Sequence, residues 1–177
     1  MREIEVKILE VNGKEIEKKL LELGAKKTFD GEIDAAFFDT PDFRLKNEKS
    51  ILRLRTYGSK TFLTYKKAVP NENVKVRDEY EIEVSDFETT KNILKGIGLA
   101  PRDVKGATKK HRVSYQLEKT HFELDKYDDE KIPLLLEIEA QDEETVYKYA
   151  AKLGFEKKDC NAWTAGEVIK HYTERKT

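Results

Sequence analysis

Charged residues recur at alternate positions along this sequence. Glu3, Glu5 and Lys7 alternate with Ile4, Val6 and Ile8, and Arg53 and Arg55 with Leu52 and Leu54. Arg77, Glu79, Glu81 and Glu83 alternate with Tyr80, Ile82 and Val84. Lys110 and Arg112 stand against Val113 and Tyr115, Glu123 and Asp125 against Phe122 and Leu124, and Glu137 and Glu139 against Leu136 and Ile138; Lys66 follows Thr64 two positions on. Residues two apart on a β-strand point to the same side, so each segment would carry one charged and one apolar face. An open antiparallel sheet with a solvated face would explain any single segment. It does not explain why the charges sort by sign, as Arg-x-Arg and Glu-x-Glu.

The two kinds of cluster suit two kinds of partner. Guanidinium forks and ammonium groups bind phosphate oxygens, with Arg able to make bidentate contacts. Carboxylates cannot bind phosphate directly, but they hold hard cations such as Mg²⁺ or Mn²⁺. Bulky apolar residues on the other side of nearly every strand imply that the charged faces point inward into a closed sheet. A barrel of about eight strands encloses room for side chains or one small ligand. Charges buried there need water, counter-ions or a highly charged ligand. A metal-bound polyphosphate meets both requirements.

The positioning elements follow from the same alternation and from turn signals. Strands are expected over Arg2–Glu10, Lys26–Phe38, Ser50–Tyr57, Lys60–Lys67, Val74–Ser85, Lys105–Leu117, Lys119–Lys126 and Ile132–Ala140. Asn12-Gly13-Lys14-Glu15 resembles a capping box and opens a helix ending near Gly24; Ser85 with Glu88 caps a second, ending at Gly98. Asp142 caps a third, ending at Gly154, and Thr164–Tyr172 forms a short last helix. Asp39-Thr40-Pro41-Asp42 and Tyr57-Gly58-Ser59 read as turns. A weak repeat is visible: Glu3/Glu5, Glu81/Glu83 and Glu137/Glu139 each precede a helix closing in Leu-Gly or Ile-Gly. No linker divides residues 1–177, so one domain is expected.

Composition limits the alternatives. The 177 residues include 34 Lys+Arg and 35 Asp+Glu, a formal net charge of -1. That balance lacks the basic surplus of a nucleic-acid binder. The single cysteine, Cys160, excludes a disulfide framework or a thiolate cluster. No apolar run reaches membrane-spanning length and no signal-peptide stretch opens the chain, so a cytoplasmic protein, monomeric or homodimeric, is expected. His111, His121 and His171 show no ligand spacing and read as surface or core histidines. Cys160 reads as a small hydrophobe, and His171–Thr177 as a frayed terminus. Lys95-Gly96-Ile97-Gly98 lacks the residues that would complete a phosphate loop.

Glu3-Ile4-Glu5-Val6-Lys7 resembles the Glu-x-Glu-x-Lys signature of the CYTH family, the triphosphate tunnel metalloenzymes. The later elements match in order: Leu52-Arg53-Leu54-Arg55, Thr64-Tyr65-Lys66, Arg77 with Glu79 and Glu81, Lys110-His111-Arg112, Glu123-Leu124-Asp125 and Leu136-Glu137-Ile138-Glu139. The resemblance implies an α+β fold, a closed eight-stranded antiparallel tunnel with helices outside. It further implies that Lys7, Arg53, Arg55, Lys66, Arg77, Lys110 and Arg112 bind a triphosphate. Glu3, Glu5, Asp125, Glu137 and Glu139 would hold Mg²⁺ or Mn²⁺ or position water, with Lys7, Glu5 and Glu137 as the catalytic group. One departure stands out: Asn161-Ala162-Trp163-Thr164 replaces the family's basic residue and Ser-Tyr pair, leaving Lys157 or Lys158 as candidates for that basic residue.

Members of the family include inorganic triphosphatases, thiamine triphosphatases and class IV adenylyl cyclases. Hydrolysis places a metal-activated water in line with the terminal phosphorus. Cyclisation of ATP instead sets the ribose 3′-hydroxyl in line with the α-phosphorus. A cyclase therefore needs a base pocket, for which Phe37, Phe38, Phe43, Tyr65 and Trp163 are the candidates. Hydrolysis of tripolyphosphate or thiamine triphosphate asks less of the unassigned region and is the favoured expectation. A polyphosphate sensor is the non-enzymatic alternative, although a pure binder would need mainly the basic half.

Overall fold

A computed structural model describes residues 2–69, 75–102 and 108–174, with the side chains of Arg2 and Lys75 left aside. The expected strand starts at Val74 and Lys105 lie outside these residues. Among them the alternating segments form strands β1 (Arg2–Ile8), β2 (Lys26–Asp39), β3 (Ile51–Tyr57), β4 (Lys60–Val69) and β5 (Lys75–Val84). Strands β7 (Lys109–Leu117), β8 (Thr120–Tyr127) and β9 (Leu135–Ala140) follow a three-residue strand, β6 (Ala100–Arg102). The sheet order β3-β4-β5-β1-β9-β8-β7-β2 closes through β2–β3 pairing, and every pairing is antiparallel. The result is the expected eight-stranded barrel, with β6 added beside the end of β2.

The helices α1 (Gly13–Glu22), α2 (Arg44–Asn47), α3 (Phe87–Gly96), α4 (Glu143–Leu153) and α5 (Ala165–Thr173) complete the α+β fold. Helices α1 and α4 lay Ile16, Leu20, Val146, Tyr149 and Leu153 on the outer faces of β1, β8 and β9, against Val6, Ile8, Phe122, Leu124, Leu136 and Ile138. Burying each such aliphatic side chain contributes roughly 1.5–3 kcal/mol. That outer layer is what turns the charged faces inward. Leu94 of α3 packs on Phe38 and Leu54, and Val168 and Ile169 of α5 pack with Tyr127, Ile132 and Leu135.

The three-fold repeat is real at the helix ends. Gly24, Gly98 and Gly154 take φ of 88°, 93° and 96°, a left-handed conformation that glycine adopts without steric penalty. The following residue's N–H reaches back to Leu20, Leu94 and Ala150 in turn. One helix start and one helix end differ from expectation. Helix α3 is capped by Asp86, whose side chain accepts from Thr89 N–H at 2.6 Å, and not by Ser85. Residues 171–173, expected to fray, complete α5; residues 175–177 lie outside the described residues. No helix among the described residues is long and apolar enough to cross a membrane.

Candidate active site

The inward faces of the strands enclose a cavity of about 370 Å³. Six basic residues expected to bind phosphate line it: Lys7, Arg53, Arg55, Lys66, Lys110 and Arg112. Of the five expected metal-binding carboxylates, Glu3, Glu5, Glu137 and Glu139 line it too. Two expected site residues sit elsewhere. Arg77 is buried beside the cavity wall, its Nη1 donating to the Lys49 carbonyl. Asp125 is fully buried and meets the cavity only through the cations it holds.

Strand register decides the pairings. Lys7 lies opposite Glu137 and Glu5 opposite Glu139 across β1–β9, while on β8 Glu123 lies opposite Glu137 of β9 and Asp125 opposite Arg112 of β7. Lys7 Nζ bridges Glu5 Oε1 at 2.7 Å and Glu137 Oε2 at 2.9 Å. Burial alone would push this ammonium down, but Glu137 and Glu5 hold its pKa well above the ordinary lysine range. Burial and Glu5 would likewise raise Glu137, yet Lys7 and Arg112 keep its carboxyl below the usual value.

Arg112 is surrounded. Its Nε and Nη2 each lie 2.6 Å from an Asp125 oxygen, Nη1 pairs with Glu123, and Nη2 is 3.8 Å from Glu137. Asp125 and Glu123 outweigh the effect of burial and hold the guanidinium pKa above its ordinary value. Lys110 Nζ adds a 2.5 Å contact to Asp125 Oδ2, but burial and the neighbouring Arg112 push its pKa down to about 8.

Across β2 the situation reverses. Among the described residues, Arg53 Nε and Nη2 and Arg55 Nε are buried without a hydrogen-bond partner. Burial and the Arg55 charge push Arg53 down to about 10. Among the described residues Arg55 makes one side-chain hydrogen bond, Nη2 to Glu81 at 3.1 Å, and it lies over the Tyr57 ring at 5.6 Å. Lys66 pairs with Glu3 at 2.7 Å and with Glu79. Glu139 makes no ion pair among the described residues, and burial together with Glu3 and Glu123 pushes its carboxyl well up.

The aromatic candidates are redistributed. Of the five residues expected near a base, only Phe37 lines the cavity; Phe38 is buried in the core, Phe43 is exposed, Tyr65 stacks on Tyr80 outside, and Trp163 packs near α5. Tyr57, Phe62 and Tyr127 line the cavity instead, as does His121, expected as a surface or core histidine. Each lies two residues from a charged or polar inward position: Arg55, Thr64, Asp125 and Glu123. Extending the two-residue period past the charges would have found them. Lys157 and Lys158 are exposed outside the barrel, pairing with Glu143 and Glu156. Asn161 instead exchanges backbone hydrogen bonds with Lys7 at 2.8 Å, and Thr164 and Ala165 border the cavity.

Comparison with known families and folds agrees with this geometry. The CYTH domain family matches residues 1–161, and the chain belongs to that family. The structure is similar to that of the PH1012 protein of Pyrococcus horikoshii, with a TM-score of 0.75 at 28% identity, covering 94% of this chain and 98% of that one. A Vibrio parahaemolyticus adenylate cyclase candidate shares the fold at a TM-score of 0.78 and 17% identity, over 95% and 97% of the two chains. So does the Hippeastrum protein HpAC1, reported with a dominant triphosphatase activity, at 0.60 and 17%, over 99% and 97%. Comparison with curated proteins returns no match.

Proposed function

We propose that the protein is a divalent-metal-dependent triphosphatase that hydrolyses inorganic or organic triphosphate at the terminal phosphate. The observation that carries this reading is the Arg53–Arg55 pair: two adjacent inward guanidiniums with buried, unpartnered N–H groups. A buried donor without an acceptor costs about 1–3 kcal/mol, and a polyphosphate chain would supply the acceptors. Lys66, Lys110, Arg112 and Lys7 extend the same basic lining, while Arg77, which does not line the cavity and donates to the Lys49 carbonyl, is left out of the clamp. The whole chain, residues 1–177, acts as one tunnel domain in this reading.

The carboxylates fit Mg²⁺ or Mn²⁺. Glu139 makes no ion pair among the described residues, and burial, Glu3 and Glu123 drive it towards protonation against the weaker pull of Lys66, so a divalent cation beside it would relieve that crowding. Glu3, Glu5, Glu137 and Glu139 are the residues that would hold it. When bound, such an ion offsets phosphate charge and acidifies a water. The chain's own residues do the rest. Lys7, kept as an ammonium, fixes Glu5 and Glu137 on either side of it. Glu137 Oε1, the oxygen not engaged by Lys7, can accept a hydrogen bond from the attacking water and receive its proton. Arg53 and Arg55 hold the non-reacting phosphates so that the terminal phosphorus stays in line with that water.

The test is a panel of tripolyphosphate, thiamine triphosphate and ATP with Mg²⁺ or Mn²⁺, assaying orthophosphate, pyrophosphate and cyclic AMP separately. Orthophosphate from tripolyphosphate with little cyclic AMP from ATP is expected. Cyclic AMP and pyrophosphate as the main products would replace the hydrolase reading with a cyclase. Tight binding without turnover of any compound would make the protein a sensor.

A further inference from the structure

We propose that Asp125 is a positioning residue that locks Arg112 and Lys110 into the phosphate clamp, and is not a ligand of the metal; the proposal rests on the triphosphate reading above. The sequence pattern and the local geometry at first suggest the opposite. Glu123, Asp125 and Glu137 each bring a carboxylate oxygen within 4.8 Å of the others, close enough to share a cation. The cation already among them is the Arg112 guanidinium, which contacts all three. Asp125 has no oxygen to spare. Oδ1 accepts from Arg112 Nε, and Oδ2 accepts from both Arg112 Nη2 and Lys110 Nζ.

Burial makes this arrangement hard to exchange. Asp125 is 0% exposed, and its β8 position lies in direct register with Arg112 on β7. A metal at Asp125 would have to displace a bidentate guanidinium, leaving that buried charge without its anion, which is strongly unfavourable. Glu139, by contrast, lines the cavity and makes no ion pair among the described residues. The bidentate contact fixes the plane of the guanidinium fork and uses two of its five N–H groups. Nη1 also pairs with Glu123, so the N–H groups left over after these contacts are held at a set angle beside Lys110 for the phosphate chain.

The experiment separates anion binding from metal binding. Tripolyphosphate affinity is measured by calorimetry in EDTA, and Mn²⁺ affinity by electron paramagnetic resonance without triphosphate, for the wild-type protein and Asp125→Asn. Loss of the charged lock should weaken tripolyphosphate binding by roughly tenfold or more while leaving Mn²⁺ affinity within about twofold. The reverse pattern, Mn²⁺ weakened and tripolyphosphate unchanged, overturns the assignment while leaving the triphosphate reading intact. If the wild-type protein fails to bind tripolyphosphate in EDTA, both fall. Should Asp125→Asn not fold, the wild-type Arg112 Nε–H resonance decides. It should stay exchange-protected when Mg²⁺ alone is added, and its release by Mg²⁺ would assign Asp125 to the metal.

Discussion

Arg112 and Arg53 border the same cavity from strands separated only by β2, yet their surroundings are opposite. Arg112 touches three carboxylates, which hold its charge in place. Arg53 has two buried nitrogens with no acceptor among the described residues, and Arg55 and Arg112 add to the burial that disfavours its charge. The difference separates two uses of buried charge. A paired ion contributes to the folded state's integrity, because removing either partner strands the other. An unpaired ion weakens the empty protein and favours whatever anion arrives to satisfy it. The β7–β8–β9–β1 wall is thus assembled in advance, and the β2–β3 wall is left open to ligand.

The sharpest way to break this comparison is to remove the paired guanidinium. Arg112→Met should destabilise the fold by about 3–5 kcal/mol, because Asp125 would be left as a buried charge held by Lys110 alone. Urea unfolding checks this; a loss of less than about 1 kcal/mol would mean that the network is not structural. Supplying the missing anion should act in the other direction. Tripolyphosphate at ~100 times its Kd should add about 2.7 kcal/mol of stability, and an unchanged melting temperature at saturation would contradict an anion-seeking wall.

A smaller effect comes from pH. Lys110 has a folded-state pKa of about 8, below the ordinary 10.5. The folded protein therefore loses this proton first, and its contribution to stability rises with pH between these two values. A bound triphosphate favours the ammonium, so affinity should fall as pH climbs past about 8, with proton uptake on binding. Calorimetry at pH 8.5 in buffers of different ionisation enthalpy would detect that proton; identical heats would exclude it. Glu139 gives the opposite trend for metal. Its raised pKa means that a cation must displace a proton, so Mn²⁺ affinity should increase with pH.

The barrel was legible because inward charge and outward apolar bulk alternate with the strand period over nearly every segment. Elements without that alternation were not. Helix α2 is a single turn organised by Asp39, whose carboxylate accepts from the N–H groups of Thr40, Leu45 and Lys46. Strand β6 spans three residues around Pro101, too few to show a period. In the site, residue type identified the basic and acidic lining but could not distinguish paired from unpaired members. Asp125 and Glu139 read alike in sequence as carboxylates on inward faces. Register places one against Arg112 and the other against Glu5 and His121. Partner choice across strands is a property of the closed sheet. The aromatic lining escaped because uncharged residues extend the inward rows without carrying their sign.

The most direct test is Arg53→Met, measured twice in the same buffer: unfolding of the empty protein, then tripolyphosphate affinity. Removing an unpartnered buried charge should leave stability unchanged or raise it. Affinity should fall by roughly tenfold to a hundredfold, the loss of hydrogen bonds to a charged ligand. A variant that unfolds more easily yet binds tripolyphosphate as tightly as the wild type would contradict the assignment of this wall to the incoming triphosphate.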